Sequence, residues 1–298
     1  MRAIPTLAAG LAVSTLLAGC AGAAAPDDSR VRVVASTNVY GSIVELIGGD
    51  DVNVTSFISG ASQDPHSFEA SAQDQLTISR ADLLVANGGG YDPFMQQLVD
   101  ASGSDAHLVL ATDVVDLGAE DHDHEANEHL WYDLHAMDDV AATITDALVQ
   151  LDPSHSETYR SNYDALQADL EALETQAAAL AESHEGEGVS VTELVPLYLL
   201  EEVGLVNRTP DGFTEAIEEG SDVPPAALHQ TLELFTTGAV VLLAYNEQTA
   251  SPETERVRAA AEAARVPVVE FTETLPDGQD YVSWMTANLD AIRTALPQ

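Results

Sequence analysis

The 298-residue chain carries 50 acidic against 10 basic residues, for a formal net charge of −40, and every basic residue is an arginine. A surface of that sign repels nucleic acid and anionic lipid headgroups and excludes both as partners, the bulk of the charge serving solubility. The single cysteine excludes an internal disulfide framework, while 45% hydrophobic residues suffice for a sizeable core.

The N-terminus sets the compartment. Met1-Arg2 supplies a positive charge, residues 7–17 are almost wholly apolar or small, and no acidic residue precedes Asp27. This is the pattern of an export signal, too short to span a membrane. It ends in Leu17-Ala18-Gly19-Cys20, which resembles a bacterial lipobox. The resemblance implies that residues 1–19 are a lipoprotein signal peptide and that Cys20 is lipidated, placing the protein outside the cytoplasm on a membrane anchor. Residues 20–30 read as a flexible tether.

From residue 31 onward, short β-branched runs alternate with helical patterns. Strands are predicted at 31–34, 52–54, 83–86 and 108–111, separated by helices at 39–47, 71–79 and 93–99. A second block repeats the style, with strands at 189–192, 240–244 and 266–270 and helices at 194–203, 225–235, 252–264 and 281–296. Such alternation predicts βαβ units and parallel sheets. Between the blocks, Tyr159, Tyr163, Leu166, Leu170, Leu173 and Leu180 recur at helical spacing, with no Gly or Pro until Gly186. Pro153 suits the start of a helix of about thirty residues, roughly 45 Å long. The organisation that follows is an α/β fold of two parallel-sheet lobes, 31–152 and 187–298, joined by one long rigid helix at 153–186.

Several residues carry metal chemistry. His66 lies in Asp64-Pro65-His66-Ser67-Phe68-Glu69, a loop following a strand, where Pro65 stiffens the backbone ahead of the imidazole. The stretch 120–129 holds three histidines and five carboxylates, a metal-seeking tract that contains His122 and His124. Its last residue, His129, leads into the ordered-looking Leu130-Trp131-Tyr132-Asp133, where Asp133 could accept a hydrogen bond from the far ring nitrogen of a ligating imidazole. Glu193 and Glu273 follow strands of the second block, and ligands of open α/β sheets bind at the carboxyl ends of strands. Two imidazoles and two carboxylates from two lobes suit Mn²⁺, Fe²⁺ or Zn²⁺. Four protein ligands with no nucleophile beside a base point to holding rather than catalysis.

The chain resembles the metal-specific substrate-binding proteins of bacterial zinc and manganese ABC importers. The resemblance rests on Ala35-Ser36-Thr37-Asn38, the Asp64–Glu69 hexapeptide, Ala81-Asp82-Leu83-Leu84-Val85-Ala86-Asn87-Gly88, His129-Leu130-Trp131-Tyr132-Asp133, and Tyr281-Val282-Ser283-Trp284-Met285 before Asn288-Leu289. It implies a metal held in the cleft between the lobes by one ligand from each of four segments. Carried over, His66 and His129 are the first two ligands. Glu193, five residues before Tyr198-Leu199, takes the third position as in manganese members. Glu273 takes the fourth in place of the usual aspartate, with Glu270 as the alternative. Asn246 and Gln248 line the cleft, and His122/His124 form an auxiliary capturing loop of the kind zinc members carry. The implied partners are a membrane permease with its ATPase, and the protein acts as a monomer. The transported ion stays open between zinc and manganese, with Fe²⁺ a further option. Two other readings are a secreted metal-dependent hydrolase, which lacks any H-E-x-x-H or G-x-S-x-G motif here, and a surface adhesin.

Overall fold

The structure is a computed structural model that describes residues 29–60, 68–115 and 127–297. The first lobe runs β1 (Val31–Thr37), α1 (Asn38–Gly48), β2 (Val52–Ile58), α2 (Ala72–Ile78), β3 (Leu83–Ala86), α3 (Pro93–Ser102), β4 (His107–Leu110), the single turn α4 (Ala111–Val114) and α5 (Leu134–Leu151). After α6 (Ser156–His184), the second lobe runs β5 (Gly188–Val191), α7 (Leu197–Glu202), β6 (Val206–Asn207), α8 (Asp211–Glu218), α9 (Pro225–Thr237), β7 (Leu242–Asn246), α10 (Pro252–Ala264), β8 (Val268–Phe271) and α11 (Tyr281–Ala295). Both sheets are parallel and four-stranded, in the orders β2-β1-β3-β4 and β6-β5-β7-β8. The lobes therefore repeat one topology. In each, the first strand in sequence lies inside the sheet and the chain winds outward in both directions, so the strand ends form a crevice at the reversal.

Burial explains why these runs became strands. In β1 only Arg32 among seven residues is exposed, and β3, β5 and β7 are buried throughout, as parallel strands covered on both faces require. Arg32 is held by Asp82, with guanidinium nitrogens 2.7 and 2.9 Å from the carboxylate. The element ends follow local chemistry. The strand expected from 266 starts only at Val268, after Pro267. The helix expected from 194 begins at Leu197, because Pro196 disfavours helical backbone at Val195.

The long helix α6 spans 29 residues and buries Tyr159, Leu166, Leu170, Leu173 and Ala177 along one stripe. It packs on α1 and α5 of the first lobe and on α7 and α11 of the second. A single apolar cluster consequently runs from Val31 through α6 to Leu296. Four elements absent from the sequence expectations are present: the single turn α4, and α5, β6 and α8. The 18-residue α5 lies between α1 and α6 and buries Met137, Val140, Ala141, Ile144 and Leu148, a helical spacing visible in the sequence. No helix among the described residues is long and apolar enough to cross a membrane.

Hydrogen bonds stitch the lobes directly. The Asn38 side chain exchanges two bonds of 3.0 Å with the backbone of Leu275. Tyr281 donates its backbone N–H to Ser42 Oγ (3.0 Å) and its hydroxyl to the Trp131 carbonyl (2.7 Å), and Tyr132 donates to the Thr272 carbonyl (2.8 Å). These contacts join the two lobes beside the crevice.

Candidate metal centre

His129 enters the crevice from the first lobe, one residue before a 3-10 turn formed by Leu130–Tyr132. It is 1% exposed and meets Trp131 edge-on at 5.1 Å and Tyr91 at 6.0 Å between ring centres. Its Nδ1 lies 2.7 Å from Asn127 Oδ1. The orientation of that amide is set by its other end, since Asn127 Nδ2 donates to the Leu194 carbonyl at 3.1 Å while the oxygen also accepts the His129 backbone N–H at 3.2 Å. An amide oxygen can only accept, so Nδ1 carries the proton and Nε2 carries the lone pair that a metal needs. The sequence reading assigned this supporting role to Asp133. That carboxylate instead accepts the Ala136 N–H at 2.9 Å and caps α5, because Asp133 is the residue at which that helix starts.

The second lobe contributes carboxylates from the carboxyl ends of its strands. Glu193 lies two residues past β5 and Glu273 two residues past β8; they are 3% and 1% exposed. Between them stands Asn246, the last residue of β7. Its Nδ2 donates to Glu193 Oε2 at 2.5 Å and to Glu273 Oε1 at 2.9 Å, so one amide holds two buried carboxyl groups side by side. Thr249 adds a hydroxyl donor to Glu193 Oε2. Gln248 Oε1 accepts the Glu273 backbone N–H at 2.5 Å. Across the crevice, Tyr91 donates its hydroxyl to Glu273 Oε2 at 3.3 Å. Glu270, the alternative fourth ligand, points the other way: it is exposed and paired with Arg258 at 2.7 Å, as strand alternation in β8 dictates.

Burial pushes the Glu193 carboxyl up to about 8; nearby Glu273 and Glu218 add to the rise, and the Thr249 and Asn246 bonds oppose it. The metal-free centre thus keeps a proton on one of its crowded carboxylates at neutral pH. A divalent cation relieves the same crowding by taking the proton's place.

Two further carboxylates gather here that the sequence reading did not place in the main site. Glu128, His129 and Glu218 each bring a ligand atom to within 4.8 Å of the other two. Glu128 is seated against the turn of Gly88, Gly89 and Gly90, all at positive φ. A Cβ on Gly88 would lie 2.3 Å from Thr112 Oγ1, and one on Gly90 would lie 3.5 Å from Glu128 Oε2. Glu218 ends α8, a helix absent from the sequence expectations although Phe213, Ala216 and Ile217 recur at helical spacing; its neighbour Glu128 was visible only as part of an acidic tract. His66, His122, His124 and Cys20 lie outside the described residues.

Twin parallel sheets, a long helical spine and a buried histidine–carboxylate cluster built from both lobes define a two-lobed α/β binding protein with a metal-type centre. The chain belongs to the family described as zinc-uptake complex component A, periplasmic (ZnuA), whose model matches residues 33–295. It is 25% identical to the manganese ABC transporter substrate-binding lipoprotein scaA of Streptococcus gordonii, over 94% of each chain. It is 28% identical to the manganese-binding lipoprotein MntA of Halalkalibacterium halodurans, a match spanning about half of each chain (55%). Its fold is that of the periplasmic zinc binding protein TroA from Treponema pallidum, with a TM-score of 0.75 at 20% identity, covering 90% of this chain and 100% of that one. The laminin binding protein Lmb of Streptococcus agalactiae shares the fold equally well, with a TM-score of 0.75 at 22% identity over 90% and 100% of the two chains.

Proposed function

We propose that this protein captures a divalent transition metal, zinc or manganese, outside the cytoplasmic membrane and delivers it to an ABC permease driven by its ATPase. A lipid on Cys20 tethers it to the membrane, and it binds its cargo without chemical turnover. The observation that carries the reading is the Asn246 amide, which holds Glu193 and Glu273 together, buried, on the side of the crevice facing His129. Burying several carboxylates around an imidazole is unfavourable unless a cation joins them. His66 supplies the second imidazole, so the cargo draws nitrogen from the first lobe and oxygen from the second. Such a mixed set suits Mn²⁺, Fe²⁺ and Zn²⁺.

The test is thermal unfolding of the chelator-stripped chain from residue 21, with Zn²⁺ and Mn²⁺ titrated separately. A ligand that binds only the native state raises the midpoint with concentration, by an amount equivalent to about 2.7 kcal/mol at a hundred times Kd. A rise with both ions leaves selection to supply and the permease. A rise with Zn²⁺ alone defines a zinc importer. No rise with either ion refutes the reading.

A further inference from the structure

The assignment of Asn127 deepens the metal-capture reading and rests on it. We propose that Asn127 is a positioning residue that couples the seating of the two lobes to the metal-binding form of His129, its amide being held by Leu194 of one lobe and holding the imidazole of the other.

Asn127 touches both lobes at once. On the first-lobe side its Oδ1 accepts the His129 backbone N–H at 3.2 Å and lies 2.7 Å from His129 Nδ1. On the second-lobe side its Nδ2 donates to the Leu194 carbonyl at 3.1 Å, and its own carbonyl accepts the Tyr198 hydroxyl at 2.8 Å. Both second-lobe partners are well fixed. Leu194 follows Glu193, and its carbonyl also accepts the Leu197 N–H at 3.0 Å, in the turn that leads into α7. Tyr198 lies in that helix, which buries Leu199 and Leu200 and packs on α6 and on the turn of Leu130–Tyr132. The next carbonyl along the chain, that of Glu128, is held by the first lobe, through Asn87 Nδ2 at 2.9 Å. The grip of one lobe therefore gives way to that of the other between residues 127 and 128. Parting of the lobes there breaks the Leu194 and Tyr198 bonds and leaves His129 with the first lobe.

An amide has an accepting end and a donating end, and half a turn of the side chain exchanges them. A carbonyl can only accept, so Leu194 holds the donating end and turns the oxygen to His129. With that oxygen at Nδ1, the neutral imidazole keeps its proton there and presents the Nε2 lone pair to a cation. Once Leu194 has moved away, the amide can rotate and present Nδ2 to Nδ1. A donor at Nδ1 favours the opposite tautomer. Nδ1 then gives a proton to water and Nε2 takes one as its bond to the cation breaks, so the ring stays neutral with no net proton exchanged. Separation of the lobes thus weakens the first-lobe ligand as the second-lobe carboxyls withdraw, and the ion binds the closed arrangement preferentially.

The test is a double-mutant cycle on Asn127→Asp and Tyr198→Phe. Its readouts are affinity for Mn²⁺ and Zn²⁺ and the ¹⁵N ring shifts of the histidine-labelled, metal-free chain, with His129→Gln to assign the signals. Aspartate offers an oxygen at either end, so the His129 tautomer no longer depends on what holds the other end. Phenylalanine removes one bond at the lobe junction and leaves the Asn127 side chain intact. In the wild-type background Tyr198→Phe is expected to weaken binding about 2- to 10-fold, the range of one hydrogen bond, and to move the ring signals away from the Nδ1-protonated pattern. In the Asn127→Asp background it is expected to weaken binding less than about twofold, with the ring signals unmoved. Equal effects in the two backgrounds overturn the coupling. Asn127→Ala, which removes both ends, is expected to weaken binding about 10- to 100-fold and to lose the Nδ1-protonated pattern. A wild-type pattern and affinity in that variant overturn the positioning role. Circular dichroism of the metal-free variants controls for folding. A wild-type chain that binds neither ion sinks the capture reading itself, whereas a wild-type chain that binds while the two substitutions act additively sinks only the coupling.

Discussion

Asn87 and Asn246 occupy matching places in the two lobes. Each sits at the carboxyl end of the strand beside the first one, β3 in one sheet and β7 in the other, and each is buried. Their amides do different work. Asn87 accepts the Tyr40 hydroxyl and donates to the carbonyls of Gly88 (3.1 Å) and Glu128 (2.9 Å), so it fixes main chain. Asn246 donates to two carboxylates, so it fixes side chains. The first lobe thus presents His129 on a loop pinned through the backbone, whereas the second presents Glu193 and Glu273 just past the ends of its strands. One topology has been used in two ways, and the chemistry of the neighbours decides which.

The comparison is broken most sharply at Asn246. Replacing it with leucine removes the shared donor and leaves Glu193 and Glu273 to repel each other. Affinity for Zn²⁺ or Mn²⁺, measured by competition with a chromophoric chelator, is expected to fall about 100-fold, the upper range for a residue that orients metal ligands. Unchanged affinity would mean that the carboxylates need no such clamp.

The matching change, Asn87→Leu, strands the Tyr40 hydroxyl and the Glu128 carbonyl. It is expected to lower the unfolding free energy by about 1–3 kcal/mol in a urea titration. Its effect on metal affinity should be smaller than that of Asn246→Leu, and the reverse order would erase the distinction between the lobes.

The next effect is a pH dependence of the metal-free protein. Burial raises Glu193 to about 8 and is the main cause of the rise of Glu202 to about 7. A carboxyl raised in the folded state contributes stability that is complete below its unfolded value and is lost as pH rises through the folded one. Chelator-stripped protein should therefore lose stability as pH rises from about 4.5 to about 8, with a shallower slope in Glu193→Gln and in Glu202→Gln. Saturating metal should remove the Glu193 part, because the cation binds the ionised form, and should release a proton near neutral pH that calorimetry in buffers of different ionisation heat can count. Equal slopes in all three proteins would contradict the assignment.

The smallest effect is expected at Glu270. Its pairing with Arg258 is half exposed, and such surface bridges are worth about 0–1 kcal/mol. Glu270→Gln should leave metal affinity unchanged, which separates it from Glu273 three residues later.

Much of the fold was legible because it rests on local patterns. The continuous apolar runs at β3 and β7 and the unbroken helical repeat of α6 identify themselves within short windows. The 18-residue α5 carried an equally regular repeat and was overlooked in the shadow of its longer neighbour. The two-residue β6 was not legible, since its strand identity comes from pairing with β5 rather than from its own residues. In the site, His129, Glu193 and Glu273 stood out by motif and by position after strands. Glu218 did not, because in a chain with 50 acidic residues another glutamate is unremarked until its surroundings are known.

By itself the sequence determined the class of fold, the two blocks, the spine and the residue types that suit a divalent metal, because periodicity and short motifs are properties of neighbours along the chain. Only the tertiary structure decided which carboxylates turn inward, that Asn127 rather than Asp133 steadies His129, and that Asn246 bridges two carboxyl groups that follow different strands. The bridge joins Asn246 to carboxyls 53 and 27 residues away, and Asn127 is oriented by Leu194, 67 residues further on. The meeting is set by the winding of both sheets about one shared core.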